Sequence, residues 1–462
     1  MLWTLLLLVP AALAVIVLLT RFGVRAATFA DFFYAKRSVS VFEGALAAAA
    51  CWIWVIALMV GPQKAYESGA AALAWFVVPN TLAMFLSAAL VAILISRWGG
   101  RWEAFTEFIG YRFGGEMLGV YTLGITVMMA YAVLVSMVGA LDLFSHVFHT
   151  SNDAVVIVVA ALMLVLALPK GIESSFAADM VKGFTIFLVL CVVVVIVGTE
   201  GVHAVVSGSR GVGGDGPGLL SPELIWSFGF SSALSLFSSI SVDVQLWQRW
   251  LSLRPAVQRI TPWLAAPIFG VFVTSIGLLG LVAAGKQLAV AKPSLAGFAA
   301  IADAFPSAGV LFMLMVAAVL LATGASALNG VARTWSVDIL RLVRKDTSET
   351  ESIWVARGVM VLVVLVGVVL AKQGVTLLAM FLLVGTYRGA LLLPTLLALT
   401  TSGARASRLF TIGTLVAMFA GPTVALVRHS ALEGGLTVLT LSALLCIFEW
   451  VRSARQQKLA RL

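Results

Sequence analysis

The stretch CWIWVIALMVGPQKAYESG, residues 51–69, is apolar enough to enter a bilayer, yet it carries groups that a simple spanning helix avoids. Two tryptophans open it, and Gly61-Pro62-Gln63-Lys64 interrupt it. Proline removes a helical hydrogen bond and crowds the preceding turn. A lysine at the bilayer centre costs at least about 2.5–3.5 kcal/mol. The stretch therefore reads as part of a discontinuous helix packed against protein. Gly61-Pro62 is expected to bend its outer half, with Trp52 and Trp54 at or near a break and Gln63 and Lys64 facing an outer vestibule.

The rest of the chain supports a membrane setting. Of 462 residues, 61% are hydrophobic and only 11% charged, more apolar surface than a soluble domain can hide. About 13 apolar runs are each long enough to cross a bilayer as a helix. They lie near 1–20, 43–69, 71–97, 116–143, 153–169, 175–199, 223–247, 262–285, 307–340, 353–371, 374–400, 408–427 and 435–453. The first run has no basic stretch before it and is followed by Arg21 and Arg25, so it reads as a retained span with its N-terminus outside. With that orientation the predicted inner segments and tail hold about 21 lysines and arginines against about five outside, namely Arg210, Lys286, Lys292, Lys372 and Arg428. The bias predicts a multi-pass protein of a bacterial-type inner membrane with a cytoplasmic C-terminus. Cys51, Cys191 and Cys446 all fall in apolar runs, so no disulfide framework is expected.

The Gly-rich piece GSRGVGGDGPG, 208–218, reads as a flexible outer loop that divides two sets of five spans. An odd number of spans per set turns the second copy upside down, and such inverted repeats place a binding site at mid-membrane, where the first helix of each repeat is broken. The expected organisation is 1–40, an extra span and a cytoplasmic loop; 41–200, the first repeat; 219–400, the second repeat; and 401–462, two extra spans with a short tail.

Several side chains stand out against this apolar background. Ser231, Ser235 and Ser238 share one helical face, with Ser232 and Ser239 alongside, and line either a water-filled path or a helix contact. Asp243 and Gln245 are placed at the cytoplasmic end of that helix, with Arg249 as an interfacial anchor. Asp179 and Lys182 are three residues apart, hence neighbours on one face that can neutralise each other near the inner interface. Lys64 can snorkel outward. Arg388 is too deep for that; it either bonds freed backbone carbonyls or meets an anion in the site. His146 and His149 lack the ligand company of a metal set. No phosphate-cradling Gly-rich loop and no Ser/His/Asp arrangement is found, so neither ATP drive nor enzyme chemistry is expected.

Several segments resemble the sodium:solute symporter family. ADFFYAKRSVSVFEGALAAAACWIW is similar to its opening loop and first core helix, and ASALNGVARTWSVDILRLVRKDTSETESIWVARGVMV to its eighth core helix and the loop beyond. DVQLWQRW is similar to the end of its sixth, and Asp179 fits the start of its fifth. The resemblance spans roughly 30–400, and "CWIW…AYESG" and "WFVVPNTLA" are similar to the urea-transporter-like branch. It implies an all-α, LeuT-type fold of five plus five inverted helices, with one extra helix before the core and two after.

The same resemblance implies a sodium site between the first and eighth core helices. Its carbonyls would come from Ala50, Ile53 and Val319, and its hydroxyl pair would fall at Ala322-Thr323, where one hydroxyl is absent. The fifth core helix carries Lys182 where the family usually has glutamine. If Lys182 reaches the space beside Thr323, its ammonium can stand in for sodium, and its protonation can couple transport to protons. Pocket candidates are Trp52, Trp54, Asn80, Tyr131, Ser231 and Ser235, with Arg388 if the solute is an acid.

The expectation is a secondary active transporter that imports a small polar solute (urea or amide, short carboxylate, or amino acid) by alternating access with Na+. One alternative is a sodium-independent or proton-coupled carrier or uniporter that uses Lys182. Another is a transporter-like sensor, against which the short tail VRSARQQKLARL argues. No cofactor is expected beyond Na+ or H+ as coupling ion. The expected partners are the solute and lipid, not nucleic acid. A small partner subunit is compatible with the sequence, and otherwise a monomer or weak oligomer.

Overall fold

The computed structural model describes residues 39–168, 172–340, 344, 346–402 and 405–459. The expected first span, 1–20, and residues 30–38 of the opening motif lie outside them. The described chain is helical: α1 (Val41–Trp52), α2 (Val55–Trp98), α3 (Phe105–Phe113), α4 (Gly115–Ala140), α5 (Asn152–Ala167), α6 (Ile172–Ile196), α7 (Val202–Ser207), α8 (Phe230–Ser239), α9 (Val244–Leu251), α10 (Thr261–Gly285), α11 (Ala296–Ala304), α12 (Pro306–Arg333), α13 (Glu349–Ala371), α14 (Leu377–Thr400), α15 (Arg408–Val427) and α16 (Ala431–Leu459).

Among the described residues, nine helices are long and apolar enough to cross a bilayer. Helices suit that solvent because each satisfies its own backbone polar groups. Their outward faces are apolar too: Phe184, Leu362, Val369, Ile412 and Leu444 are all exposed, as a lipid-facing surface requires. Start signals are local. The Ser348, Thr376 and Ser407 hydroxyls each accept a backbone N–H three residues on, at 3.2 Å, which caps α13, α14 and α15.

Contacts sort the loops into two ends. At one end the Val212 N–H donates to the Tyr66 carbonyl (2.8 Å), the Tyr66 hydroxyl to the Leu288 carbonyl (2.9 Å), and Lys292 pairs with Asp142 (2.7 Å). At the other, the Arg254 N–H meets the Val39 carbonyl, Trp98 donates to Leu399, and Arg112 to Ala398 and Thr401. The chain runs back and forth between a vestibule end and an arginine end. Helix α2, 44 residues long, makes two passes by reversing at Gly69. That residue has φ +78°, and a Cβ there would lie 2.2 Å from the Ser209 carbonyl oxygen, so only glycine fits.

This contact corrects the reading of 208–218 as a flexible loop. The segment is pinned to the Gly69 turn through Val212 and closes on itself through the Gly216 N–H and the Arg210 carbonyl (2.9 Å). Its glycines serve close backbone approach; Gly211 and Gly216 would each drive a Cβ into backbone oxygens.

Two helices are interrupted in mid-course. Between α1 and the first half of α2, Ile53 and Trp54 are extended (φ/ψ −80/98° and −96/169°). Between α8 and α9 the chain turns at residues 240–243, and the two pieces meet at 46°. Two expectations are corrected here. The backbone keeps helical dihedrals through Gly61-Pro62, so the interruption lies at Ile53-Trp54 and the reversal at Gly69. Asp243 does not end a helix near one face. It starts α9 at the break, its Oδ1 accepting the N–H groups of Gln245 (3.1 Å) and Leu246 (3.2 Å).

Candidate functional site

The two breaks face a common chamber of about 50 Å³. Its walls come from α1, α2, α4, α8 and α14: Trp52, Trp54, Ile56, Ala57, Phe76, Asn80, Met128, Tyr131, Leu236, Ser239, Asp243, Phe381 and Arg388. Five of the pocket candidates drawn from the sequence are among them: Trp52, Trp54, Asn80, Tyr131 and Arg388. Interrupted helices leave carbonyls and N–H groups without intrahelical partners, and side chains satisfy them here. The Trp54 indole N–H donates to the Cys51 carbonyl at 3.1 Å, just before the break. The Trp52 indole N–H donates to the Asn80 side-chain oxygen at 2.8 Å, which ties α1 to the second half of α2. Both indole N–H groups are thus engaged, and both side chains line the chamber.

Ser231 and Ser235 do not line it. The Ser235 hydroxyl donates to the Phe381 carbonyl at 2.6 Å and accepts from Arg388 Nη2 at 2.9 Å, which joins α8 to α14. Ser231 is buried outside the chamber lining, its hydroxyl unpaired among the described residues. The serine stripe is thus mainly a helix contact. A periodic row of small hydroxyls looks identical in sequence whether it faces water or a neighbouring helix.

Arg388 is buried, and its Nε and Nη2 groups are engaged by α8. It donates to the Ser235 carbonyl, to the Ser235 and Ser238 hydroxyls, and to the Met128 sulfur. It ties α14 to the Ser235 carbonyl of α8, and it also lines the chamber.

A second cluster lies beside the chamber, where α1, α6 and α12 meet. Lys182 and Thr323 are each 1% exposed, and the ammonium donates to the hydroxyl at 3.0 Å. The next residue, Gly183, packs on α1; a Cβ there would lie 3.7 Å from that of Ala50. Ala50 and Ile53 close α1, the Ile53 N–H bonding the Ala50 carbonyl at 3.0 Å, while Val319 and Ala322 are buried on α12 beside Thr323. Helix α6 packs on both α1 and α12, so Lys182 lies on the helix between the two that carry the other residues expected at a cation site.

Asp179 does not pair with Lys182. Its carboxylate takes Arg249 Nε at 2.8 Å and Nη2 at 2.7 Å, and Nη2 also reaches the Ser326 hydroxyl at 3.1 Å. Arg249 is 1% exposed, which corrects its assignment as an interfacial anchor. The short α9 turns it inward because its N-terminus begins at the buried break. The planar guanidinium fits a carboxylate better than the Lys182 ammonium does.

Toward the vestibule end lies a wider cavity of about 870 Å³, bordered by Gln63, Leu141, His146, His149 and Leu377. It continues the chamber along the same helices: Gln63 follows Ala57 on α2, and Leu377 precedes Phe381 by one turn on α14. In the chamber wall the Phe76 and Phe381 rings meet edge-on at 5.8 Å, and Trp54 and Tyr131 lie 6.1 Å apart. Toward the arginine end, Trp247 stacks on Phe105 at 4.1 Å. Lys64 stays close to its own helix, paired with Glu67 at 2.7 Å. No group of three metal-ligating side chains occurs among the described residues.

Solved transporter structures share this fold over nearly the whole chain. A Na+-coupled sialic acid symporter in a substrate-bound outward-open state matches with a TM-score of 0.76 at 15% identity, over 96% of each chain. Mhp1, a nucleobase-cation-symport-1 family transporter closed on bromovinylhydantoin, matches at 0.60 and 14%, over 92% of this chain and 95% of that one. MhsT in complex with L-phenylalanine matches at 0.53 and 14%, over 87% and 98%. The fold is LeuT-type. In this fold α1 with the first half of α2, and α8 with α9, are the broken first helices of the two inverted repeats. No protein-family model matches the chain, and no curated protein matches it.

Sequence reasoning missed Asp243, Phe76, Met128 and Phe381 as chamber residues. The run SISVD holds no proline or glycine to announce a break. The one available signal was an acid too deep in an apolar run to be left unpartnered.

Proposed function

We propose that this protein is a secondary carrier of a small polar solute, working by alternating access in a bacterial-type inner membrane. The carrying observation is the chamber at the breaks of both helices, walled in part by the Phe76–Phe381 and Trp54–Tyr131 ring pairs, with a wide cavity further along the same helices. In this reading the vestibule end faces outward and the arginine end faces the cytoplasm, as the charge bias suggests. The repeats 41–200 and 219–400 rock about the chamber, so that the aromatic layer and the Phe105–Trp247 layer open in turn.

The solute is small. A space of about 50 Å³ admits a few non-hydrogen atoms and excludes sugars. Amides, short carboxylates and small amino acids remain within range.

The coupling position is held by Lys182 rather than by Na+. Its ammonium already uses the Thr323 hydroxyl, the one side-chain oxygen left to a cation there. A sodium ion ligating the same oxygen would stand close to a second positive charge. At 4 Å that repulsion is about 4 kcal/mol in an effective dielectric of 20. Loss and return of the lysine proton would then accompany the cycle. A charge moving down 100 mV supplies about 2.3 kcal/mol, enough for nearly a fiftyfold gradient.

The test is flux in proteoliposomes. Counterflow of a labelled solute without any ion gradient is expected, with uptake unchanged when choline replaces Na+ and increased by an inward proton gradient. Strict dependence on Na+ would overturn the lysine reading while leaving the carrier standing. No counterflow for any bound solute would remove the carrier.

A further inference from the structure

The chamber holds two opposite charges that do not pair. Arg388 and Asp243 are 3% and 2% exposed and both line it, yet neither makes an ion pair within 4.0 Å among the described residues. Buried charges left apart are costly, and a structural pair would have closed up. Each is instead held in place by neutral groups. The Asp243 Oδ1 takes two backbone N–H groups, while its Oδ2 takes none among the described residues. Arg388 is fixed by Ser235 and Ser238, and one Nη1 proton has only the weak Met128 sulfur as acceptor. A third group is open as well: Tyr131, 8% exposed, lines the chamber, and its hydroxyl has no hydrogen-bond partner among the described residues.

From this arrangement we infer that the chamber takes a small zwitterion, its anionic end toward Arg388 and its cationic end toward Asp243. The inference rests on the carrier reading only in taking this cavity as the binding chamber. A dipolar ligand meets both charges at once; a singly charged one meets only one of them. The Trp52 and Trp54 rings also line the chamber. Their N–H groups are spent on Asn80 and the Cys51 carbonyl, so their faces are free to attract an ammonium or methylated ammonium. The Tyr131 hydroxyl can donate to the carboxylate or accept from the ammonium. The space of about 50 Å³ limits the ligand to a short chain between its two charges.

The experiment is calorimetric titration of the purified full chain with glycine, β-alanine, trimethylglycine, acetate, methylammonium and acetamide. At least one zwitterion is expected to bind about tenfold or more tightly than every singly charged or neutral probe. Asp243→Asn keeps an N-cap side chain, and it should erase that preference while leaving acetate binding in place. The inference is overturned if acetate or acetamide binds the wild type as well as the zwitterions do. It is equally overturned if no zwitterion binds up to about 10 mM, or if Asp243→Asn retains the full preference. Should the variant not fold, the wild-type series alone decides. Counterflow separates this inference from the carrier reading. Binding of a zwitterion without its counterflow removes the carrier and keeps the ligand class; counterflow of acetamide without zwitterion binding does the reverse.

Discussion

The Lys182 ammonium sits 3.0 Å from the Thr323 hydroxyl, bridging α6 to α12 beneath the last turn of α1. Two fully buried groups thereby meet where a coupling cation would otherwise need oxygen ligands. Thr323→Val removes the acceptor while keeping the shape. Leaving a buried donor short of its partner costs about 1–3 kcal/mol, so the melting temperature of the purified protein should fall. Thr323→Ser should restore it. The drop should be equal in sodium and potassium buffers; a stabilisation by sodium that Thr323→Val abolishes would instead place the ion there.

The Asp179–Arg249 pair should behave differently from the ion pairs at the vestibule. It is buried on both sides and ties α6 to α9, with Ser326 of α12 as a third partner. Asp179→Asn or Arg249→Gln strands the remaining charge, and each should destabilise by about 3–5 kcal/mol. Replacing both with apolar residues should recover much of that loss. Lys372→Ala, which breaks an exposed pair with Asp153 at 2.9 Å, should cost under about 1 kcal/mol. Unfolding of all four variants in one detergent gives the comparison, and similar losses for Asp179→Asn and Lys372→Ala would contradict it.

The contrast between these residues shows what the sequence could convey. The all-helical, membrane-embedded class was legible because lipid leaves few options for a backbone, and about 20 apolar residues is a one-dimensional signal. The unusual CWIW stretch drew attention to the Ile53-Trp54 break, although proline misdirected the bend to Gly61-Pro62. Asp243 was out of reach because a helix can break without proline or glycine when a side chain caps the new start. Arg249 was misread for a related reason. Flanked by Trp247 and Trp250, it looks like a membrane-surface anchor, and its partner lies 70 residues away. The Lys182–Thr323 contact, 141 residues apart, could be anticipated only through the resemblance that aligned the two helices.

Asn80 and Trp52 give a test of the break itself. Asn80→Leu removes the acceptor of the indole N–H and leaves it buried, at a cost of about 1–3 kcal/mol. The ring would be free to turn into a chamber with little space to spare. Solute affinity should therefore fall by more than the stability loss explains, while Asn80→Gln, with a longer amide, should fall between the two. Calorimetric affinities set beside melting temperatures separate the effects; equal affinity in Asn80→Leu and wild type would show that the Trp52 ring is held by packing alone.

Gly385 decides whether α8 and α14 must touch for the chamber to form. A Cβ on Gly385 would lie 2.7 Å from the Ser235 Cα, against backbone that cannot rotate away. Three residues on, Arg388 bonds the carbonyl and hydroxyl of that same serine. Intrinsic propensity favours Gly→Ala in a helix by about 1 kcal/mol, whereas forcing a methyl into a packed contact costs about 1–3 kcal/mol. The contact should win: Gly385→Ala is expected to lower the melting temperature and to reduce solute binding at least about tenfold by moving Arg388 off its anchor. Gly358, on α13, has nothing within 4 Å of its Cβ position, so Gly358→Ala should be neutral or stabilising with binding intact. If both variants melt and bind alike, propensity alone governs these positions, and the close approach of α14 to α8 is not what holds Arg388 in the chamber wall.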